Sequence, residues 1–443
     1  MTSSFFTQIG SDIDGEAIGD QLGFSVSLSS DGTVVAIGAR SNDGNGTDSG
    51  HVSIYQNVNN TWTKVGSDID GEAIGDQSGY SISLSSDGTV VAIGAPFNDG
   101  IVGKNSGHVR IYKNVNGTWT QVGEDIEGEN DGDISGSSVS LSSDGSVVAI
   151  GAEYNEGKGR SSGHVRIYQN FNNVWTQIGS DIDGEAVYDR SGSSVSLSSD
   201  GSFVAIGALE NNGNGLDSGH VRIYKNVNNT WIKVGWDIDG EVAHDWAGWS
   251  VSLSSDGSVV AIGSPGHFRN GLYSGQVRIY QNLNGKWTQV GNNIEGEAGE
   301  FFGRSVSLSS DGSVVAIDSS IYIHDGGTWT QIGSDIDGYA GSVSLSSDGS
   351  VIAIGAPGND GNGNDSGHVR LYQINFDATS ITDNFDATSL TDLEAYYYIA
   401  SNNDLISAFG VDIEAAKSHY TDYGKSEGRN LTAFSATNYL AKY

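Results

Sequence analysis

One phrase, SVSLSSDGSVVAIGA at 138–152, returns along the chain with small changes. Its Asp-Gly turn stands at Asp31, Asp87, Asp144, Asp200, Asp256, Asp311 and Asp348. In each copy an alternating run such as Ser81, Ile82, Ser83, Leu84 meets a second apolar run, Val90 to Ile93, across Ser-Asp-Gly. Asp-Gly favours the positive φ angles of a tight hairpin, so each copy reads as a β-hairpin. A fixed internal period overrides the expectation of two or three ordinary domains and makes most of the 443 residues one array.

A second marker fixes the size of the unit. Trp62, Trp119, Trp175, Trp231, Trp287 and Trp329, each followed by x-x-[IV]-Gly, are spaced 57, 56, 56, 56 and 42 residues apart, and Phe6 opens a seventh such copy, FTQIG. Each unit reads as four short half-buried strands: A (SVSLS), B (VVAIGA), C (GHVRIY) and D (WTQVG). The predicted fold is all-β, a seven-bladed β-propeller of four-stranded antiparallel blades. The blades are expected at 24–66, 80–123, 137–179, 193–235, 249–291, 304–333, and 341–373 with 4–10. The chain opens with a D strand, and the last unit has no D of its own. Phe5 to Ile9 is therefore predicted to pair beside Val369 to Tyr372, closing the ring and removing an exposed edge.

Phe302-Gly303, the triplets Gly94-Ala95-Pro96 and Gly355-Ala356-Pro357 after strand B, and the GHVRIY strand that follows resemble the FG-GAP repeats of integrin α-type propellers. The likeness covers about residues 4–373 and implies a propeller used in adhesion. Propellers of that family often carry a DxDxDG calcium loop between A and B. Here that connection is only SSDG, so calcium is not carried over to these turns.

Residues 1–373 are thus assigned to the propeller and 374–391, with the repeated phrase NFDATS, to a polar linker. Residues 392–443 are expected to form a small α-helical segment, with Ile413, Ala416, Tyr420 and Tyr423 at helical spacing. His419-Tyr420, Gly424 and Glu427-Gly428-Arg429 resemble a helical tandem repeat of large bacterial surface proteins, and Tyr439 begins a second copy, which implies a longer polypeptide.

Net charge is −34, from 55 acidic and 21 basic residues, which repels nucleic-acid phosphates and anionic lipid. No run approaches the ~18 apolar residues of a membrane span, and the N-terminus shows no signal peptide. There is no cysteine, so disulfides and thiol chemistry are excluded. A monomeric propeller at a bacterial cell surface, or secreted, is the expected setting.

In a blade of this topology the D–A and B–C connections share one face. They are the longer and more acidic pair, where binding is expected. The phrase SDIDGE offers Asp12, Asp14 and Glu16, then Asp68, Asp70 and Glu72, as hard oxygen ligands at alternate positions, which suits Ca2+. The other reading is that Ile13 is buried between blades and its carboxylate neighbours are solvated. A calcium shell needs six to eight oxygens, and one phrase does not spell them out. No cofactor is required. His51, His108, His164, His220 and His368 share one position in separate blades and are expected to anchor loops by hydrogen bonds rather than to meet at one metal.

The repeats disagree most around blade 5. There the loops place Trp236, His244, Trp246 and Trp249, then His267, Phe268, Arg269 and Tyr273, then Phe301 and Phe302, where other copies carry mostly small or polar residues. Blade 6 has both long loops cut, so a notch is expected beside these aromatics. Trp246, His267 and Phe268 are expected to be exposed, with Trp246 and Phe268 stacking on a ligand and Arg269 orienting it. The implied function is recognition or adhesion toward a surface glycan or protein. The alternatives are a carbohydrate-active enzyme using the loops of blades 4 to 6, and a structural spacer. No nucleophile elbow, phosphate loop or HExxH is present, so a non-enzymatic role is favoured.

Overall fold

The structure, a computed structural model, describes residues 5–336 and 341–376. The predicted linker and helical segment, from 377 onward, lie outside the described residues. Among the described residues, seven antiparallel sheets each run A, B, C, D, in chain order in the first six blades. Blade 1 comprises Leu22–Leu28, Val34–Ala39, His51–Val58 and Thr61–Lys64. In blade 7, Ser342–Leu345, Val351–Ala356 and His368–Ile374 are completed by Phe6–Gln8 from the other end of the chain. Phe6 lies opposite Ile374 and Gln8 opposite Tyr372.

Strand B explains why the sheets stack. Val90–Ala95 and Val147–Ala152 are buried at every position, as a continuous apolar run must be when both faces are covered. Strand A alternates, as in Ser81–Leu84. The core is accordingly a series of seams between blades. In one seam Val26, Leu28, Val35 and Ile37 of blade 1 meet Val351, Ala353, Val369 and Leu371 of blade 7.

The serines of the recurring phrase close the ring. In strand A each Leu N–H donates to a Ser Oγ of the preceding blade: Leu84 to Ser27, Leu141 to Ser83, Leu197 to Ser140, Leu253 to Ser196, Leu308 to Ser252, Leu345 to Ser307, and Leu28 back to Ser344, all at 2.9–3.0 Å. A second closed circuit joins the backbones of the serines before the Asp-Gly turns, from Ser30 through Ser86 and Ser143 round to Ser347. At the outer rim each D-strand tryptophan reaches back one blade, as Trp119 Nε1 does to Val65 O at 2.8 Å. The Gly of WxxxG is where the next tryptophan sits: a Cβ on Gly66 would lie 3.2 Å from the Trp119 ring. Phe6 fills this place in blade 7, against Gly333.

SDIDGE adds a fifth strand that the four-strand reading did not contain. Ile69–Asp70 pairs with Val52 and His51 of strand C, and the same pairing recurs in blades 2 to 5 and 7. The isoleucine is buried in each, as Ile13, Ile69 and Ile182 show. In blade 6 strands B and C are joined through Asp318 and Ser319 alone. Asp318 stands where other blades have Gly, and its carboxylate accepts from Gly303 N at 2.7 Å and Ser305 N at 3.0 Å. Burial pushes its pKa up to about 6, against those two hydrogen bonds.

Candidate functional site

The D–A and B–C loops interlock on one face, where Gly50 bridges Ser78, Gly219 bridges Ala247 and Gly275 bridges Phe302. On this platform the aromatics of blade 5 and its neighbour form a ladder. Trp246 stacks on Tyr273 at 6.0 Å and 17°, and Tyr273 stacks on Phe301 at 4.8 Å and 11°. Phe268 leans on Tyr273 at 5.3 Å, and Trp249 on Trp246 at 6.0 Å. The Arg304 guanidinium covers Phe301 at 4.5 Å, and Gly266 backs Trp246. Trp246, Phe268, Tyr273 and Phe301 are half-buried, and their flat faces are spent largely on one another. The water-facing apolar surface here is Trp249, 42% exposed, and Leu272, 67% exposed.

Not every residue of the predicted notch joins the ladder. His267, expected to be exposed, is 5% exposed, and its Nδ1 lies 2.9 Å from the buried carboxylate of Asp245. The reason is positional: in other blades an Asn fills this place, and Asn98 Nδ2 bonds Asp76 in the same way. Phe302 is buried at the seam. Arg269 is exposed and pairs with Glu295 at 3.0 Å. His244 faces Asp217 at 3.3 Å, and Trp236 projects into solvent at 84% exposure, without a ring contact to the ladder.

A second cluster escaped the sequence reading. Phe24 contacts Tyr80 at 5.1 Å, Tyr80 contacts Phe97 at 6.1 Å, and Arg40 lies 3.7 Å above Phe24. Arg190 covers Tyr154 at 4.6 Å and pairs with Glu210 at 3.2 Å. Beside them, burial pushes the Glu153 pKa up to about 7, opposed by Arg190 and reinforced by Glu210. Phe24, Tyr80 and Trp249 all follow the loop glycine at the start of strand A. Comparing that one column across the repeats is the signal that finds them.

The carboxylates of SDIDGE separate. Asp12 and Asp14 gather with His368, whereas Glu16 meets His51 and Asp68 across the next seam, and Glu72 meets His108 and Asp125. Asp70 pairs by backbone with His51, and its carbonyl accepts from Arg110. His108, His164 and His220 do not anchor loops through Nε2 as expected, since that atom has no hydrogen-bond partner in any of the three.

Residues 12–55, from SDIDGE through strand C of blade 1, match the family model of the FG-GAP repeat. The described residues form a seven-bladed β-propeller whose first blade carries the FG-GAP repeat match. No curated protein matches the sequence. A solved structure of Kuenenia stuttgartiensis hydrazine synthase is similar at a TM-score of 0.50 and 14% identity, over 80% of this chain and 95% of that one. That likeness is one of fold.

Proposed function

We propose that this FG-GAP propeller is a recognition module of adhesion type, which binds a surface glycan or protein at the exterior of a bacterial cell through its loop-bearing face. The observation that carries the reading is the aromatic ladder from Trp249 to Phe301, set beside the blade whose loops are cut. A ring of equal blades has no preferred contact point until one sector differs. Here the difference gathers stacked rings and the Arg304 guanidinium beside the shortened blade, the composition that contact hot spots favour. Because the inner rings hold one another, Trp249 and Leu272 supply the contact surface and the ladder beneath keeps them rigid.

The test is binding of the intact chain to a glycan and surface-protein array, beside Trp249→Ala and a Trp246→Ala, Phe268→Ala double variant. Loss of the captured ligand in folded variants is expected. Unchanged binding removes this sector, and no captured ligand favours a spacer. A second reading, a carbohydrate-active enzyme, draws on Glu153, a half-buried carboxyl with a pKa raised toward neutrality beside a second acid, as general acid catalysis uses. Polysaccharide turnover that Glu153→Gln abolishes would establish it.

A further inference from the structure

We propose that the seams ahead of blades 2 and 3 each bind one divalent first-row transition cation of the Zn2+ class, through Glu72, His108 and Asp125 in one and Glu129, His164 and Asp181 in the other. In each seam the Glu comes from the SDIDGE phrase of the preceding blade, whereas the His and Asp come from the following one. The donor atoms of each set lie within 4.8 Å of one another.

His108 is almost wholly buried, at 1% exposure. Its Nδ1 stands 3.7 Å from Asp125 Oδ2 and 4.0 Å from Glu72 Oε2, beyond hydrogen-bonding reach, and its Nε2 has no partner. A buried imidazole aimed at two carboxylates without touching either is an unfilled polar arrangement, and such groups are normally satisfied. The remaining carboxylate oxygens are held from outside. Gln121 Nε2 donates to Asp125 Oδ1, and Arg110 Nη1 lies 3.4 Å from Glu72 Oε1. One oxygen of each acid is thus fixed while the other turns toward the imidazole, as outer partners orient metal ligands. Blade 3 repeats this arrangement with Gln177 on Asp181 Oδ1, Arg166 3.5 Å from Glu129 Oε1, and His164 Nδ1 3.9 Å from Glu129 Oε2.

Tetrahedral ligands at zinc bond lengths of about 2.1 Å stand about 3.4 Å apart, so the two contacts of His108, at 3.7 and 4.0 Å, close by roughly half an ångström and the two carboxylates, within 4.8 Å, by at most about 1.4 Å, a movement within reach of carboxylate side-chain rotation. One nitrogen with two carboxylates suits zinc or its neighbours, whereas calcium takes oxygen alone.

The other blades serve as controls. In blade 1 the Lys64 ammonium already bridges Glu16 and Asp68, at 3.2 and 2.6 Å. Lys233 takes Asp237 in blade 4, and Arg370 takes Asp12 in blade 7. Blade 5 replaces the His and Asp together by Gln276 and Asn293. There the gap closes directly, with Gln276 Nε2 3.1 Å from Glu241 Oε2 and Asn293 Nδ2 3.0 Å from Gln276 Oε1. Where amides stand, no ion is needed to join the blades.

The experiment is zinc titration of the EDTA-stripped full chain by calorimetry, with elemental analysis after dialysis and the Co2+ absorption spectrum as a ligand signature. Two zinc ions per chain are expected, with a raised melting temperature. The blade 5 pair installed in blade 2, His108→Gln with Asp125→Asn, should lower the count to one, and adding His164→Gln with Asp181→Asn should abolish binding. Circular dichroism checks that both variants stay folded. No saturable binding at micromolar free zinc, or a count unchanged in folded variants, overturns the proposal.

Discussion

Removing one outer tryptophan tests whether the rim fastens the blades. Trp329 is 5% exposed, donates through Nε1 to Val290 O at 2.9 Å, and lies so close over Gly291 that a Cβ there would stand 2.7 Å from the indole. Trp119 makes the equivalent bond at 2.8 Å but is only half-buried. Truncating a fully buried tryptophan costs about 3–5 kcal/mol, part from lost transfer and part from the cavity. Trp329→Ala should cost that amount, and Trp119→Ala less, because part of that ring already faces water. Replacing either by Phe removes the N–H and part of the ring, a cost of about 1 kcal/mol for the hydrogen bond. Phe6 at the corresponding place in blade 7 shows that a phenyl ring fits there. Urea unfolding followed by circular dichroism gives the midpoints. The reasoning fails if Trp119→Ala costs as much as Trp329→Ala, or if Phe is no better than Ala at either site.

Three further outcomes are expected. The Glu153 pKa, about 7 in the folded chain, exceeds its unfolded value near 4.5, so the folded state binds the proton more tightly and stability falls as pH rises between those values. Glu153→Gln should match the parent near pH 4 and exceed it at pH 8 by at most about 3 kcal/mol, an upper bound because the residue keeps some surface in water; parallel pH profiles would contradict this. Ser140→Ala leaves the Leu197 N–H without its acceptor at the inner ring and should cost about 1–3 kcal/mol in urea titration. Deleting residues 1–10 bares the outer edge of His368–Ile374 and takes away the acceptor of Trp62 Nε1, so light scattering should report self-association and the melting temperature should fall; an unchanged monomer would refute closure by this strand.

The seven blades were legible because the unit repeats with both its turn and its tryptophan, and two markers with one period leave little freedom. Closure by Phe6–Gln8 followed from phase alone, since a D strand without a blade and a blade without a D strand need each other. The shortened loop of blade 6 was visible as missing residues. What stayed hidden depends on neighbours from different repeats. Glu72 and Asp125 meet His108 only because the end of one blade lies against strand C of the next. A reading that compares equivalent histidines with each other cannot see that each has carboxylates of its own. His267 looked like a variable surface residue, yet it replaces a loop-anchoring Asn and keeps that bond to a buried Asp. The aromatic residues around blade 5 were legible as a group, but their order as a stack was not, because Tyr273 joins them through loop geometry.

Symmetry separates what holds this ring from what distinguishes its sectors. The strand A serines, the strand B run and the outer tryptophan bond repeat with nearly constant geometry, so these positions answer to the seams. The residue after the loop glycine has no such duty. It is Phe24, Tyr80, Ser137, Ser193, Trp249 and Arg304 in turn, at the inner strand's entry on the loop-bearing face. The seam position on strand C lies between these extremes: His in most blades, Gln276 in blade 5, with its carboxylate partner changed to Asn293 in step. The change in blade 5 is paired, with Gln276 and Asn293 3.0 Å apart, whereas blade 6 has no His at the start of strand C and its Asp335 accepts from Ser320 instead. The paired change therefore assigns the His and its Asp to one interaction across the blade, whereas the unpaired variation from Phe24 to Arg304 leaves that rim free to differ from sector to sector.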